Sequence, residues 1–373
     1  MAVKELIKNK KYKIEIAIGY NGNKRIRHYE TFIGGKKEAV LRENEIKLQL
    51  KNSTYVKKNK MTLEDLINEW LESKKNDLEL KTYNSYKLWS NKIISAIGNT
   101  KLKDLNVKVL EDFYNNLKSA STLSDKSIRE IYTTVSMALN KAIVWGYIIN
   151  NPNTLIEKPK VKKKEIQCYS PEEVDILINV LKNEPLKYQA LIMLALDTGC
   201  RRGELTGLTW NDIDFDNSLI TINKTTQYLP NYGIYEKGTK SETSNRKIYI
   251  TDTTKRLLKK YHIYQNEKRL LLGEKWQNSN RIFTTEYGAD IHPDTPSKIL
   301  DKIIKKYNLK RISFHGLRHT SISLQIASGI QSQIVSKRAG HSSVTVTDKI
   351  YSHFFDNEFQ DVANKMNAFL QAK

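Results

Sequence analysis

Apolar and polar positions follow two different rhythms in the first 155 residues. Tyr12, Ile14, Ile16 and Ile18 alternate with Lys11, Lys13, Glu15 and Ala17, the period of a half-buried strand. Asn21-Gly22 is a hairpin signal. A second strand is expected over 24–32, carrying Arg25, Arg27 and His28, with a break at Gly34-Gly35 and a helix over 37–50. From Met61 the spacing becomes helical. Leu63, Leu66, Ile67, Trp70 and Leu71 follow a Thr62/Asp65 capping arrangement. Further helices are expected at 81–96, 107–118 and 125–145, the last aligning Ile128, Ile131, Val135, Leu139 and Ala142, and Asn151-Pro152 ends the region. These stripes read as core, not as a cofactor site.

A short lysine run follows: Lys158, Lys160, Lys162, Lys163 and Lys164 around Pro159. Such a run is a solvated linker, and in a basic protein it can also track a phosphate backbone. The third stretch begins near Gln167. Ser170-Pro171-Glu172-Glu173 is a helix start with Ser170 as N-cap and Pro171 at the first helical position. An apolar helix over 188–196 leads into Thr198-Gly199-Cys200-Arg201-Arg202-Gly203-Glu204-Leu205. Strands are expected at 218–228 and 246–250, separated by a polar loop rich in Gly and Lys, and helices fill the remainder.

A chain of 373 residues with 39% hydrophobic residues is too long for one typical core and apolar enough for two or three. The expected divisions are 1–57, 61–155, a linker at 156–166, and 167–373. No apolar run approaches the roughly 18–20 residues of a membrane span, and the lysine-rich start lacks the apolar segment of a secretory signal. A cytoplasmic protein with no membrane partner is expected. Cys168 and Cys200 are the only cysteines; they suit a reducing compartment and make no metal framework. Charge changes the picture more. Residues 1–60 carry 16 Lys+Arg against 6 Asp+Glu, a net +10 of the chain's +21. An excess of that size favours a polyanionic partner, nucleic acid before membrane. Its concentration at the N-terminus favours a sheet face laid into a DNA groove over a merely solvated hairpin.

Several side chains are candidates for chemistry. His315 and Arg318 are three apart on an expected helix and share a face. Arg201 follows a Gly-Cys bend, Lys240 lies in an expected hairpin loop, His341 follows Ala339-Gly340, and Tyr351 sits in a polar stretch. Singly each is weak, since the chain has 62 Lys+Arg and 20 Tyr, and most of those are surface or packing residues. Together they match what cleavage of a phosphodiester needs. The pentacoordinate phosphorane spreads about two negative charges over its nonbridging oxygens. Guanidiniums bind such oxygens with fork geometry, a histidine adds a donor, a lysine can protonate the leaving 5′-oxygen, and a tyrosine can be the nucleophile. Ionising a free phenol at pH 7 costs roughly 4 kcal/mol, part of which cationic neighbours offset. No carboxylate pair or Cys/His cluster at ligand spacing suggests a metal.

In their order these residues resemble the tyrosine recombinases, the lambda-integrase-like family of phage and conjugative-transposon integrases. The segment 198–205 is similar to the family's first arginine box, continued by Leu208-Thr209-Trp210-Asn211-Asp212-Ile213-Asp214. Lys240 through Arg246-Lys247-Ile248 resembles the hairpin with the family's lysine, Lys237 being the alternative. His315-Gly316-Leu317-Arg318-His319-Thr320 resembles the second box, Gly340-His341 the third histidine position, and Tyr351-Ser352-His353 the tyrosine context. Ordered co-occurrence is far more specific than any one box. Two positions depart from the pattern: Ala339 stands where the family usually has leucine, and Gly316 replaces a common aspartate.

The resemblance implies a multidomain, mainly α fold. A small three-stranded sheet with one helix would form an arm-type DNA-binding domain. A helical core-binding domain of the SAM-like type and an α+β catalytic domain would follow. Arg201, Lys240, His315, Arg318, His341 and Tyr351 would be catalytic, with Glu204 orienting its neighbours, no metal and no cofactor. Arg25, Arg27, Lys160, Lys162, Lys163 and Lys164 would meet double-stranded DNA. The implied assembly is a synaptic homotetramer in the bacterial cytoplasm, associated with the nucleoid and with DNA-bending and directionality factors. A C-terminal stretch with Phe359, Val362, Met366, Phe369 and Leu370 has helical apolar spacing; it reads either as ordinary core or, as the resemblance implies, as a tail that docks on a neighbouring subunit. The alternatives are a chromosome-dimer-resolving recombinase, a type IB topoisomerase-like enzyme and a catalytically silent DNA-binding protein.

Overall fold

The computed structural model describes residues 3–8, 10–21, 24–51, 60–120, 122–161, 167–238, 245–341, 343–345 and 370–371, without the side chains of 18–21, 24–26, 28 and 49–51. Two compact units divide it, residues 1–163 and 164–373. No helix among the described residues is long and apolar enough to cross a membrane.

The first unit opens with an antiparallel sheet in the order β1 (Val3–Ile7), β2 (Lys11–Asn21), β3 (Lys24–Ile33). Tyr12, Ile14 and Ile16 of β2 are buried, on the face that period two assigns them. Helix α1 (Lys36–Lys51) covers that face with Ala39 and Ile46. The alternation of 12–18 therefore marks a real strand. β1 carries no such alternation; four of its five residues are exposed, and pairing with β2 defines it.

Helices α2 (Leu63–Lys74), α3 (Leu80–Ile97), α4 (Val107–Ser119) and α5 (Asp125–Val144) form a separate bundle. The Thr62/Asp65 capping box is present. Leu63, Leu66, Ile67 and Trp70 pack with Ile93, Leu110, Phe113, Ile128, Ile131, Val135 and Leu139. The Asn-Pro stop is held by buried polar bonds. Asn151 accepts the Asn153 N–H at 2.9 Å, and Asn153 accepts the Tyr114 hydroxyl at 2.7 Å and donates to the Tyr132 carbonyl at 3.2 Å.

The second unit comprises helices α6 (Pro171–Leu181), α7 (Leu186–Thr198), α8 (Arg202–Gly207), α9 (Asp252–Leu272), α10 (Thr295–Lys306), α11 (Phe314–Ala327) and α12 (Ser332–Ala339), with strands β4 (Ile213–Asp214), β5 (Leu219–Ile222), β6 (Lys224–Leu229), β7 (Gly233–Gly238) and β8 (Arg246–Tyr249). Ser170 caps α6 as its sequence implies, with Pro171 in the first turn. The single strand expected over 218–228 is two strands in two sheets. β5 pairs with β8 in the order β4-β5-β8, whereas β6 pairs with β7. Ile220, Ile222 and Thr226 are all buried, so the alternation keeps its phase across Asn223 and hides the change of sheet. β7 falls in the expected polar loop, and none of its residues is buried. No apolar alternation announces it.

Candidate active site

Helix α7 ends at Gly199, whose φ of 61° lies in the left-handed region, where glycine carries no Cβ penalty. A Cβ there would meet Ser321 Oγ at 3.2 Å, so this turn lies close against α11. Thr198 Oγ1 donates to the Leu194 carbonyl at 2.6 Å and accepts the Cys200 N–H at 3.3 Å. The chain then extends through Arg201 into α8. Glu204 reaches back and accepts the Arg201 N–H at 2.9 Å and Arg201 Nη1 at 3.0 Å.

On α11, Ser313 caps the helix by accepting the Gly316 N–H at 3.1 Å, and Phe314 and Leu317 enter the core. The opposite face carries His315, Arg318 and His319, the two imidazoles edge to face with centroids 4.6 Å apart. Arg318 is only 2% exposed. Its Nη1 donates to the Gly199 carbonyl at 2.8 Å, and among the described residues its buried Nη2 has no hydrogen-bond partner. Gly316, one of the two departures from the family pattern, has a local reason. A Cβ there would sit 2.8 Å from the Gln167 carbonyl oxygen and 3.1 Å from Ile312 Cβ. Ala339, the other departure, is buried against Ile322, Ile326 and Val335.

Helix α12 ends at Gly340, with φ 69°, and His341 follows, its N–H on the Ser336 carbonyl at 3.0 Å. Arg338 ties this helix to α7 by donating to the Asp197 carbonyl at 2.9 Å and carboxylate at 3.1 Å, and to β8 by donating to the Tyr249 carbonyl at 2.8 Å. Arg201 Nη2 donates to the Gly340 carbonyl at 2.8 Å. Three segments far apart in sequence thus bring Arg201, His315, Arg318 and His341 together.

The cluster is strongly cationic. Burial, and then the neighbouring Arg201, push the Arg318 guanidinium down to about 10. His341 is pushed down to about 4 by burial, then by Arg318 and Arg201, and His319 also falls to about 4 through burial, His315 and Arg318. Against these stands one buried carboxylate, Glu204. Burial raises its pKa, but the Arg246 hydrogen bonds outweigh that and hold it below the usual carboxylate range. Such an arrangement is built to receive an anion.

Arg246 was not among the expected site residues. It is half of a buried pair, with Nη2 on Glu204 Oε2 at 2.8 Å. A sequence signal existed, because Arg246 shares period-two parity with the inward-facing Ile248 and Ile250.

Tyr351 and Lys240 lie outside the described residues, as do Lys162, Lys163, Lys164, Phe359, Val362, Met366, Phe369 and the side chain of Arg25. Lys237, the alternative lysine, is on β7 opposite Thr225. The β6–β7 hairpin is seated on α8, since a Cβ at Gly203 would lie 2.4 Å from Thr225 Oγ1. Arg27 on β3 pairs with Glu15, and Lys160 pairs with Glu157 at 2.7 Å with both side chains well exposed. Exposed pairs of this kind are weak, of order 0–1 kcal/mol, and a phosphate can displace the carboxylate. Among the described residues no three His, Cys, Asp or Glu side chains converge on a metal position.

Comparison with known proteins identifies the family and the fold. The phage integrase family model matches residues 168–358, and the model for the phage integrase N-terminal SAM-like domain matches 62–118. The chain is 28% identical to a tyrosine recombinase XerC-like protein of Caldanaerobacter subterraneus subsp. tengcongensis over 97% of each chain. It is 26% identical to the ICEBs1 integrase of Bacillus subtilis over 99% of this chain and 100% of that one. Among solved structures, the Tn1549 transposon integrase in complex with transposon right end DNA superposes with a TM-score of 0.70 at 19% identity, covering 81% of this chain and 100% of that one. That likeness gives the same mainly helical fold. With more than half its length matched by the family model, the chain belongs to the phage integrase family and is a tyrosine recombinase, an enzyme that transfers DNA strands.

Proposed function

We propose that this recombinase integrates and excises a mobile element. Tyr351 attacks a scissile phosphate, a 3′-phosphotyrosine forms, and a 5′-hydroxyl leaves. Arg201, Arg318, His315 and His341 bind and neutralise the phosphate. Lys240, or Lys237 in its place, protonates the leaving 5′-oxygen. Glu204 orients Arg201. Attack by the 5′-hydroxyl of a partner strand reverses the step, so the phosphodiester energy is kept and no ATP is consumed. Exchanging both strand pairs of two duplexes takes four nucleophiles, hence a homotetramer on DNA.

The observation that carries this reading is the buried Nη2 of Arg318, which has no partner among the described residues. An unmet buried donor costs about 1–3 kcal/mol, more when charged. A nonbridging phosphate oxygen would satisfy it and relieve its repulsion with Arg201. The domain roles follow the same reading. Residues 1–57 bind arm-type sites through a basic sheet that includes Arg25 and Arg27, and 61–155 hold the core site. The linker 156–166 tracks the backbone with Lys160, Lys162, Lys163 and Lys164, and 167–373 do the chemistry. Bacterial cytoplasm and nucleoid, DNA-bending and directionality factors, and trans docking of the C-terminal stretch complete the proposal.

One observation favours a second reading, a chromosome-dimer-resolving recombinase: the full-length similarity to the XerC-like protein. A plasmid excision assay separates the readings. Two sites from the flanks of the chain's own gene are placed in one supercoiled plasmid with EDTA and no ATP. The proposal expects a site-dependent excision circle that Arg318→Ala abolishes. Recombination only at chromosome-terminus sites supports the second reading. Site-independent relaxation would replace both with a topoisomerase.

A further inference from the structure

Arg246 opens β8 with its side chain turned inward beside Ile248 and is 7% exposed at that side chain. Its guanidinium reaches two parts of the site at once. Nη2 donates to Glu204 Oε2 at 2.8 Å and Nη1 to Glu204 Oε1 at 3.3 Å. Nε donates to the Arg338 carbonyl at 2.8 Å, one turn before His341. A Cβ on Gly340 would sit 2.8 Å from Arg246 Nη1, so the glycine lets the guanidinium lie against the turn. From the other side, Arg201 donates to both Glu204 and the Gly340 carbonyl. The contacts close a ring: Arg246, Glu204, Arg201, Gly340, Arg338 and back to Arg246.

We infer that Arg246 is a positioning residue for strand cleavage, fixing the Glu204 carboxylate that aims Arg201 and the turn that presents His341. The inference rests on the reading that Arg201 and His341 hold the scissile phosphate. The geometry requires arginine. A planar fork grips both carboxylate oxygens while the third nitrogen reaches the Arg338 carbonyl. A lysine head group in the same place is a single point and cannot serve both. Arg246 also lies six residues after Lys240 in the sequence.

The test uses the full chain with Arg246→Lys, Arg246→Met and the double variant Glu204→Gln/Arg246→Met. Three quantities are read: the single-turnover rate of covalent adduct formation on a nicked duplex at saturating protein, the Kd for the intact duplex, and the thermal melt. The rate is expected to fall about 100-fold in Arg246→Met and at least about tenfold in Arg246→Lys. Kd should stay within about threefold. The double variant should be no slower than Arg246→Met, because residues acting as a unit are not additive. Added methylguanidinium should restore part of the Arg246→Met rate. A wild-type rate in Arg246→Lys overturns the inference, and so does a rate loss matched by an equal loss of affinity. If Arg246→Met does not melt cooperatively, Arg246→Lys decides alone. If wild type forms no adduct sensitive to Tyr351→Phe, the failure belongs to the phosphate-site reading; a normal wild-type adduct with an unaffected Arg246→Lys sinks only the role of Arg246.

Discussion

Arg318 Nη1 donates to the Gly199 carbonyl at 2.8 Å, and among the described residues its other terminal nitrogen is buried with no partner. Folding therefore confines a guanidinium beside Arg201 at a cost that a bound phosphate would offset. Arg318→Met should raise stability, by on the order of 1–3 kcal/mol, while lowering the cleavage rate about 100- to 1,000-fold. Sulfate should raise the wild-type melting temperature more than that of Arg318→Met, since ligand binding to the native state stabilises it by mass action. A variant that loses stability along with activity would mean that Arg318 is a structural strut.

The histidines give the fold a definite pH dependence. His341, depressed to about 4 by burial and the two arginines, is neutral in the folded protein at pH 7. Its unfolded pKa is about 6.5, so on acidification the unfolded chain takes up the proton first. Its contribution to stability is complete above about pH 6.5 and is lost as pH falls towards 4. His341→Gln should therefore narrow the gap between urea midpoints at pH 7.5 and pH 5. His319 acts in the same direction and should leave a residual slope. An unchanged gap would show that the imidazole is not held neutral by burial and the arginines.

Gly203 tests the seating of the hairpin. A Cβ there would lie 2.4 Å from Thr225 Oγ1 and 2.8 Å from the Thr226 carbonyl oxygen, and the backbone oxygen cannot rotate away. Gly203→Ala should cost about 1–3 kcal/mol and slow cleavage by lifting β6–β7 off α8. Gly238→Ala, with nothing among the described residues within 4 Å of its added Cβ, should be near neutral in stability. Equal effects at the two glycines would contradict the packing account.

Some of this was readable from the chain and some was not. The capping boxes at Thr62 and Ser170, the Gly199 bend and the shared face of His315 and Arg318 are local patterns, set by side chains within four residues of one another. They appear in the structure where the sequence places them. Arg246 is different. Its partners Glu204 and Arg338 are 42 and 92 residues away, and only the fold brings a charged residue on an inward strand position to a carboxylate. β7 and the break at Asn223 were hidden for a related reason. Period two reports which face a residue uses, not which sheet its strand joins, and a strand that buries no residue, as β7 does not, leaves no apolar record. Gly316 departs from the family pattern for a reason equally distant in sequence: the Gln167 carbonyl lies 2.8 Å from where its Cβ would be.

The most direct test of the account is covalent chemistry at Tyr351. Wild type and Tyr351→Phe are incubated in EDTA with nicked duplexes from the flanks of the gene, and denaturing gels are read for a protein–DNA adduct. The account predicts an adduct in wild type that maps to a Tyr351 peptide and is absent in Tyr351→Phe, with DNA affinity unchanged between the two. An adduct that survives Tyr351→Phe, or tight binding by wild type with no adduct on any flank, would contradict it.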